Sequence, residues 1–182
     1  LYLDTEMRVE DAAVRYIAGK IGCPYWLIDS RQWKRDAKWG PLISKELKNI
    51  LNKKHKNLWF ESIGNMGASE MDKFIRRWYL NKCGRGNPAF IIYDYLTLTN
   101  KDKNESDSNK EHELAYSKAE ILKDCAEYCN APLASALQSN RSGDIFSKNG
   151  PDDSSAQASI SDRIGWLAAL MLILRRRMPE EV

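Results

Sequence analysis

The chain has 182 residues, which fits one domain, and 43% of them are hydrophobic, enough to bury a core. The longest apolar runs fall short of about 18 residues, so the sequence predicts no membrane span, and the formal net charge of +3 does not by itself indicate a nucleic-acid-binding protein. The four cysteines have no metal-binding spacing, which predicts buried thiols in a reducing cytoplasm.

Short apolar runs alternate with longer segments of helical period along the chain. In the first half of the chain the sequence predicts strands at 1–4, 25–28, 58–60 and 89–94. Between them it predicts helices at 9–21, 42–51 and 69–82, the last with Ser69 as its N-cap, and a glycine-rich turn at 83–88. The second half is predicted to contain a mobile polar loop at 99–112, a helix at 113–129, a strand at 132–137, a second mobile loop at 142–159, a helical or turn-like segment at 160–167 and a strand at 168–174. This alternation predicts an α/β fold with a mostly parallel sheet flanked by helices.

Polar residues follow three of the predicted strands. Asp94 closes the strongest apolar run, Glu6 follows the first strand, and Gln138 follows the strand at 132–137. Because ligands bind at the carboxyl ends of strands in open α/β sheets, these residues predict one site along a single edge. The alternative is that Asp and Asn end strands simply because turns favour them.

Several segments carry a resemblance to a known family. In chain order they are Leu3-Asp4-Thr5-Glu6-Met7, Val14-Arg15, Ile92-Tyr93-Asp94-Tyr95-Leu96, Ile121-Leu122-Lys123-Asp124-Cys125-Ala126, Ala134-Ser135-Ala136-Leu137-Gln138-Ser139-Asn140-Arg141 and, more loosely, Ser161-Asp162-Arg163 and Arg175-Arg176-Arg177. Together they resemble the RecA-like motor domain of DnaB-like hexameric replicative helicases, phage members included. The resemblance implies a RecA-like P-loop NTPase core and ATP-driven translocation on single-stranded DNA.

The resemblance also implies roles for the three strand-end residues. Asp94 matches the Walker B aspartate, which holds Mg²⁺ through water. Glu6 is the candidate base that orients the attacking water on ATP, and Gln138 is the candidate sensor of the γ-phosphate. Two alternatives remain open: Glu6 as a solvated N-cap or first-turn acid of the next helix, and Gln138 as a partner for backbone groups.

Two groups of basic residues are candidates for nucleic-acid binding. The first lies in the two predicted loops and consists of Lys101, Lys103, Arg141 and Lys148, although acidic neighbours make a solvated loop an alternative for 99–112. The second is denser and consists of Arg31, Lys34, Arg35, Lys38, Lys45, Lys48, Lys53, Lys54 and Lys56. It predicts either a charged helix face or a second nucleic-acid or subunit surface, where Trp33 and Trp39 could stack.

One motif of the family is missing from the sequence. No G-x-x-x-x-G-K-[ST] phosphate loop is present, and that loop is what holds the nucleotide. The expectation is therefore a fragment of a longer, cytoplasmic helicase that assembles as a homo-oligomer, a hexamer in the family, with a primase or loader as possible partner, and that is inactive alone. The alternatives are a RecA-like recombination or assembly ATPase module and a non-catalytic scaffold.

Overall fold

The computed structural model describes residues 1–51, 57–105, 111–137 and 163–172, except for the side chain of residue 105. These ranges form an α/β protein. Its elements are β1 (Tyr2–Asp4), α1 (Val9–Ile21), α2 (Tyr25–Asp29), a 3₁₀ turn (Gln32–Arg35), α3 (Trp39–Leu51), β2 (Phe60–Ser62), α4 (Ala68–Trp78), a π-helical turn (Tyr79–Cys83), β3 (Ile91–Asp94), α5 (Asn100–Glu105), α6 (Glu111–Cys129), β4 (Leu133–Ser135) and α7 (Ile164–Leu167). None of the helices in these ranges combines the length and apolar character that crossing a bilayer requires.

The chain divides into two compact units. The first contains Leu1–Gly64 and Phe90–Asp94, and the second contains Asn65–Ala89 and Tyr95–Val182. All three strands that carry or neighbour the candidate carboxylates Glu6 and Asp94 belong to the first unit. The expectation that residues 1–182 form a single partial RecA-like domain stays a prediction.

The sheet of the first unit has β1 in the centre, paired in parallel with β2 on one side and β3 on the other. Asp4 lies opposite both Ser62 and Asp94, so the three strands end at the same level. Side chains alternate between the two faces, and Leu3 and Tyr93 are completely buried on one of them. The predicted parallel pairing is confirmed for these strands, and it places their carboxyl ends along one edge.

Helices α1, α2 and α3 supply the apolar core of the first unit. Ile17, Ile28 and Ile43 are buried together, with Trp33 and Trp39 packed against them. Helix α1 spans the residues predicted for it and ends at Gly22, whose φ of 69° is left-handed and whose N–H donates to the carbonyl of Ala18. Because a left-handed residue at this position favours glycine, the sequence was sufficient to locate the end of this helix.

The predicted strand at 25–28 is wrong, because these residues form helix α2. Pro24 precedes the helix with a φ of −60°, a value that suits entry into a helical turn. Leu27 and Ile28 are both buried, whereas Tyr25 and Trp26 are exposed. Burying two consecutive side chains fits a helix and not a strand, in which neighbours point to opposite faces.

The second unit is built around the packing of α4 against α6. The buried residues of these two helices are apolar or sulfur-containing except for Lys118: Met71, Ile75, Trp78, Leu114, Ala115, Lys118, Ala119, Leu122, Cys125 and Cys129. All four cysteines of the chain are free thiols. The predicted burial is confirmed for Cys23, Cys125 and Cys129, whereas Cys83 is only partly buried.

Three further predictions in this unit need correction. Residues 99–112 are not simply a loop, because α5 occupies 100–105 and α6 begins at Glu111. The N-cap of α4 is Gly67 and not Ser69, because a distant carboxylate, that of Asp102, accepts the N–H of Ala68. Residues 168–172 are not a strand, since Leu170 and Leu172 remain exposed and not buried in a sheet. The second predicted loop at 142–159 lies outside the described residues.

Candidate functional site

The candidate site lies where β1 and β3 end, side by side, in the first unit. Asp4 and Asp94 are register partners, and the pairing continues one residue further because Thr5 N donates to Asp94 O at 2.9 Å. The hydroxyl of Thr5 lies 3.2 Å from the same oxygen. Asp94 is therefore fixed against Asp4 and Thr5, although these residues are 89 or more positions away in the chain.

The carboxylate of Asp94 is held by a tyrosine that the sequence reasoning did not identify. Tyr2 donates its hydroxyl to Asp94 Oδ2 at 2.5 Å. Tyr2 lies opposite Ile92, two residues before Asp94, so strand alternation places both side chains on the same face. The Tyr2 ring is in turn stacked on Phe60, with centroids 5.4 Å apart.

This contact keeps Tyr2 in its protonated, donating form. Partial burial, the hydrogen bond to Asp94 and the negative charges of Asp94 and Asp4 raise the pKa of Tyr2 to about 12. Tyr2 is therefore neutral near pH 7 and acts as a hydrogen-bond donor. One oxygen of Asp94 accepts this bond, and among the residues that the structure describes no hydrogen bond to the other oxygen, Oδ1, is seen.

Asp4, the neighbour of Asp94, has a structural task. Its side chain is 2% exposed, and its Oδ1 accepts the N–H groups of Glu6 at 2.8 Å and Met7 at 2.6 Å. Such an Asx-type contact satisfies backbone donors and turns the chain sharply after the strand. The turn places Glu6 directly beyond the strand end, with its side chain exposed.

The position of Glu6 excludes one of its two interpretations. Helix α1 starts at Val9, its N-cap is Arg8, and its first-turn acids are Glu10 and Asp11. Glu6 is therefore neither the N-cap nor a first-turn acid of this helix. It remains an exposed carboxylate two residues beyond Asp4, the last residue of β1 and the register partner of Asp94.

The other predicted site residues divide into two groups. Gln138, Arg141 and Lys148 lie outside the described residues, so their convergence with Glu6 and Asp94 stays a prediction. Lys101 and Lys103 lie on α5 and are paired with carboxylates: Lys101 Nζ is 2.6 Å from Glu70 Oε2, and Lys103 Nζ is 2.8 Å from Glu111 Oε1. These ammonium groups lower the pKa of Glu70 and of Glu111. Both lysines are about half exposed, so the pairs can open to solvent.

A buried ion pair, also missed from the sequence, anchors α5 within the second unit. Asp102 Oδ2 accepts bonds from Lys118 Nζ and from Thr99 N, both at 2.8 Å, and Asp102 Oδ1 accepts the N–H of Ala68 at 2.7 Å. Lys118 Nζ also donates to Thr97 O at 3.0 Å. Burial alone would raise the pKa of Asp102, but the bonds from Lys118 and Thr99 outweigh it and the pKa lies below its usual range.

The residues at the candidate site fit Mg²⁺ only in part. Asp94 offers one carboxylate oxygen, which suits a cation that keeps most of its waters. Asp4 is already engaged with backbone donors, and the described ranges contain no cluster of three or more His, Cys, Asp or Glu side chains that could hold a metal ion. For ATP the chain supplies no phosphate loop, so these residues do not form a complete nucleotide site.

Comparison with family models and with curated proteins found no match to this chain.

Proposed function

We propose that this chain is part of the motor of an ATP-dependent replicative DNA helicase of the DnaB-like type, which translocates on single-stranded DNA. The observation that supports the proposal most is the parallel pairing of β1 with β3, which brings Asp4, two residues before Glu6, next to Asp94. A base and a metal-holding carboxylate on neighbouring strand ends are what hydrolysis of a phosphoanhydride requires from the protein.

In this proposal the two carboxylates have different roles. Asp94, oriented by Tyr2, would hold a hydrated cation. Mg²⁺, when bound, supplies the positive charge that offsets the phosphate oxygens. Glu6 is exposed and does not bind the metal in this proposal. Its carboxylate accepts a hydrogen bond from the attacking water and orients that water.

The missing phosphate loop defines what this chain can do alone. Because the 182 residues contain no such loop, the proposal requires that another segment or another chain supplies it. We expect the chain by itself to bind ATP with a dissociation constant weaker than the micromolar range, measured by isothermal titration calorimetry with Mg²⁺. Micromolar affinity in the isolated chain would refute this part of the proposal.

The test of the function itself uses a polypeptide in which this chain is joined to a phosphate loop. Glu6→Gln should lower the rates of ATP hydrolysis and of forked-duplex unwinding by about 10²-fold or more, since a general base typically contributes that much. Glu10→Gln is the matched control, because Glu10 is also exposed but lies in the first turn of α1. If Glu6→Gln hydrolyses ATP like the control, Glu6 is not the base.

The partners in this proposal come from the family resemblance. The assembly is a homo-oligomer, a hexameric ring in the cytoplasm, which sedimentation velocity in the presence of ATP and Mg²⁺ would detect. A primase or a helicase loader is a further partner of such rings. Contacts to single-stranded DNA are proposed for Lys101 and Lys103, together with Arg141 and Lys148.

The lack of a phosphate loop favours a second candidate function. A chain of this fold that never works with such a loop is a non-catalytic scaffold, or a RecA-like recombination or assembly module. The same experiment separates the two candidates, because a scaffold shows no hydrolysis that depends on Glu6 in any assembly.

A further inference from the structure

A basic groove lies in the first unit, between the 3₁₀ turn Gln32–Arg35 and the start of α3. It has a volume of about 600 Å³. Its lining residues come from the 3₁₀ turn and the start of α3, and the ones used below are Trp33, Lys34, Arg35 and Asp36. The groove does not involve the strand ends that carry Glu6 and Asp94.

The charge around the basic groove is concentrated and not neutralised. Residues 31–38 contain four basic residues and one acidic residue, a net charge of +3, which equals the formal net charge of the whole chain. Lys34 and Arg35 are exposed, and among the described residues neither of them forms an ion pair. By contrast, Lys101 and Lys103 are each paired with a glutamate, so their charge is already offset.

The only carboxylate of this eight-residue stretch is Asp36, which is already counted in the net charge of +3 and is hydrogen-bonded to the backbone. Asp36 Oδ1 accepts the N–H groups of Lys38 and Trp39, both at 2.8 Å. These amides start α3, so the amino terminus of the helix is already satisfied and is not needed to attract an anion. The positive potential of the groove therefore comes from the side chains of Lys34 and Arg35.

Trp33, one of the residues that line the groove, is anchored to the core of the first unit. Trp33 is half-buried and packs against the core that contains Ile17, Ile28 and Ile43, so its ring cannot swing freely. Next to the groove, Lys38 Nζ lies 4.3 Å from the centroid of the Trp39 ring, a cation–π contact that fixes a further positive charge nearby.

We infer that the basic groove is a binding site for single-stranded nucleic acid, separate from the candidate ATPase edge. Lys34 and Arg35 contact backbone phosphates, and Trp33 provides a fixed aromatic surface for a base. The combination of unpaired cations with an aromatic residue is what single-strand binding uses, because every base can stack and every linkage is charged. An acidic peptide would need only the cations and would leave Trp33 unused.

The test measures binding of the full chain to a fluorescein-labelled deoxythymidine oligomer of about 12 nucleotides, by anisotropy over a range of salt concentrations. The double variant Lys34→Gln/Arg35→Gln removes two phosphate contacts. In a plot of the logarithm of affinity against the logarithm of salt concentration, the slope for this variant should be shallower by about 1.4. Its affinity at low salt should also fall on the order of tenfold or more.

The matched control is Lys45→Gln/Lys48→Gln, which removes the same charge from exposed positions of α3 outside the groove. The control should keep the salt dependence of the unaltered chain. Equal losses in the two double variants would mean that only the overall charge matters, and the groove would be excluded as the site. Circular dichroism verifies that both variants are folded.

Two further probes test the choice of partner. An abasic oligomer of the same length should bind more weakly than the thymidine oligomer, because it cannot stack on Trp33. Polyglutamate of matched charge should compete poorly. Equal binding of the abasic oligomer, or displacement of DNA by polyglutamate at matched charge, would overturn the assignment to nucleic acid in favour of a general anion or acidic-peptide surface. None of these measurements depends on ATP, so their outcome is independent of the proposed motor.

Discussion

The residue that most changes the view of the candidate site is Tyr2. Asp94 was predictable, because a carboxylate at the end of a strong apolar run stands out in the sequence. Tyr2 was not, because its contact with Asp94 depends on the register between two strands about 90 residues apart. Strand alternation would have put Tyr2 on the correct face once that register was known, but the register itself is a tertiary property.

Replacing Tyr2 with phenylalanine tests the contact with Asp94. The variant loses a hydrogen bond to a charged group, and we expect the free energy of unfolding to fall by about 1.5 kcal/mol. Urea denaturation near pH 7 measures the loss. Tyr25→Phe is the control, because Tyr25 is 40% exposed, and it should change stability by less than about 0.5 kcal/mol. Equal effects of the two variants would show that the bond to Asp94 adds nothing.

Among the elements, α5 could be predicted from the sequence only in part. Thr99 and Asp102 form a reciprocal cap: Asp102 Oδ2 accepts the Thr99 N–H at 2.8 Å, and the Asp102 N–H donates to Thr99 Oγ1 at 3.3 Å. A Thr followed three residues later by an acid is a helix-start signal, so α5 could have been read from the polar segment. That Lys118 of α6 completes the cap could not, because a lysine inside an amphipathic pattern normally predicts an exposed position.

The buried ion pair makes Lys118 a sensitive position. Lys118 is 1% exposed and its partner Asp102 is 5% exposed, so Lys118→Met leaves a buried carboxylate without its cation. We expect a loss of about 3–5 kcal/mol in the free energy of unfolding. Lys123→Met, a change on the exposed side of the same helix, should cost less than about 0.5 kcal/mol. Chemical denaturation of both variants measures these losses. Similar losses of unfolding free energy in the two variants would contradict a buried ion pair.

The same contact predicts how stability depends on acid. The pKa of Asp102 is lower in the folded chain than in the unfolded one, so its contribution is complete above the unfolded pKa, about 4, and is lost as the pH falls through the folded pKa. Between about pH 4 and pH 2 the unaltered chain should therefore lose more stability than Asp102→Asn, measured by urea denaturation at each pH. Parallel pH profiles of the two proteins would be inconsistent with a depressed pKa.

The elements that sequence reasoning placed wrongly share a physical cause. The run Tyr25-Trp26-Leu27-Ile28 has strand-forming residues, but tertiary packing buries the adjacent Leu27 and Ile28 in a helix. Helix α4 lacks a local side-chain cap because Asp102, 34 residues away, accepts the N–H of Ala68. In both cases a distant contact outweighs the local preference, whereas α1, with its own glycine stop, was predictable to the residue.

For the whole molecule, the α/β class and the parallel pairing of β1, β2 and β3 followed from the alternation of apolar runs and helical periods. The division into two compact units did not, because it depends on which segments contact each other. The charge distribution was visible in the sequence as a basic stretch, but only the structure distinguishes the unpaired cations of the basic groove from the paired lysines of α5.

In the proposed motor, Asp94 at the end of β3 would hold Mg²⁺ beside the end of β1 when nucleotide is bound. Hydroxyl-radical cleavage from Fe²⁺ in place of Mg²⁺, in the polypeptide that includes a phosphate loop and with ATP present, tests it most directly. We expect backbone cuts near residues 4–6 and near residue 94 in the same sample. Both sets of cuts should disappear in the Asp94→Asn variant. Cuts at only one strand end, or cuts elsewhere that Asp94→Asn leaves unchanged, would contradict it.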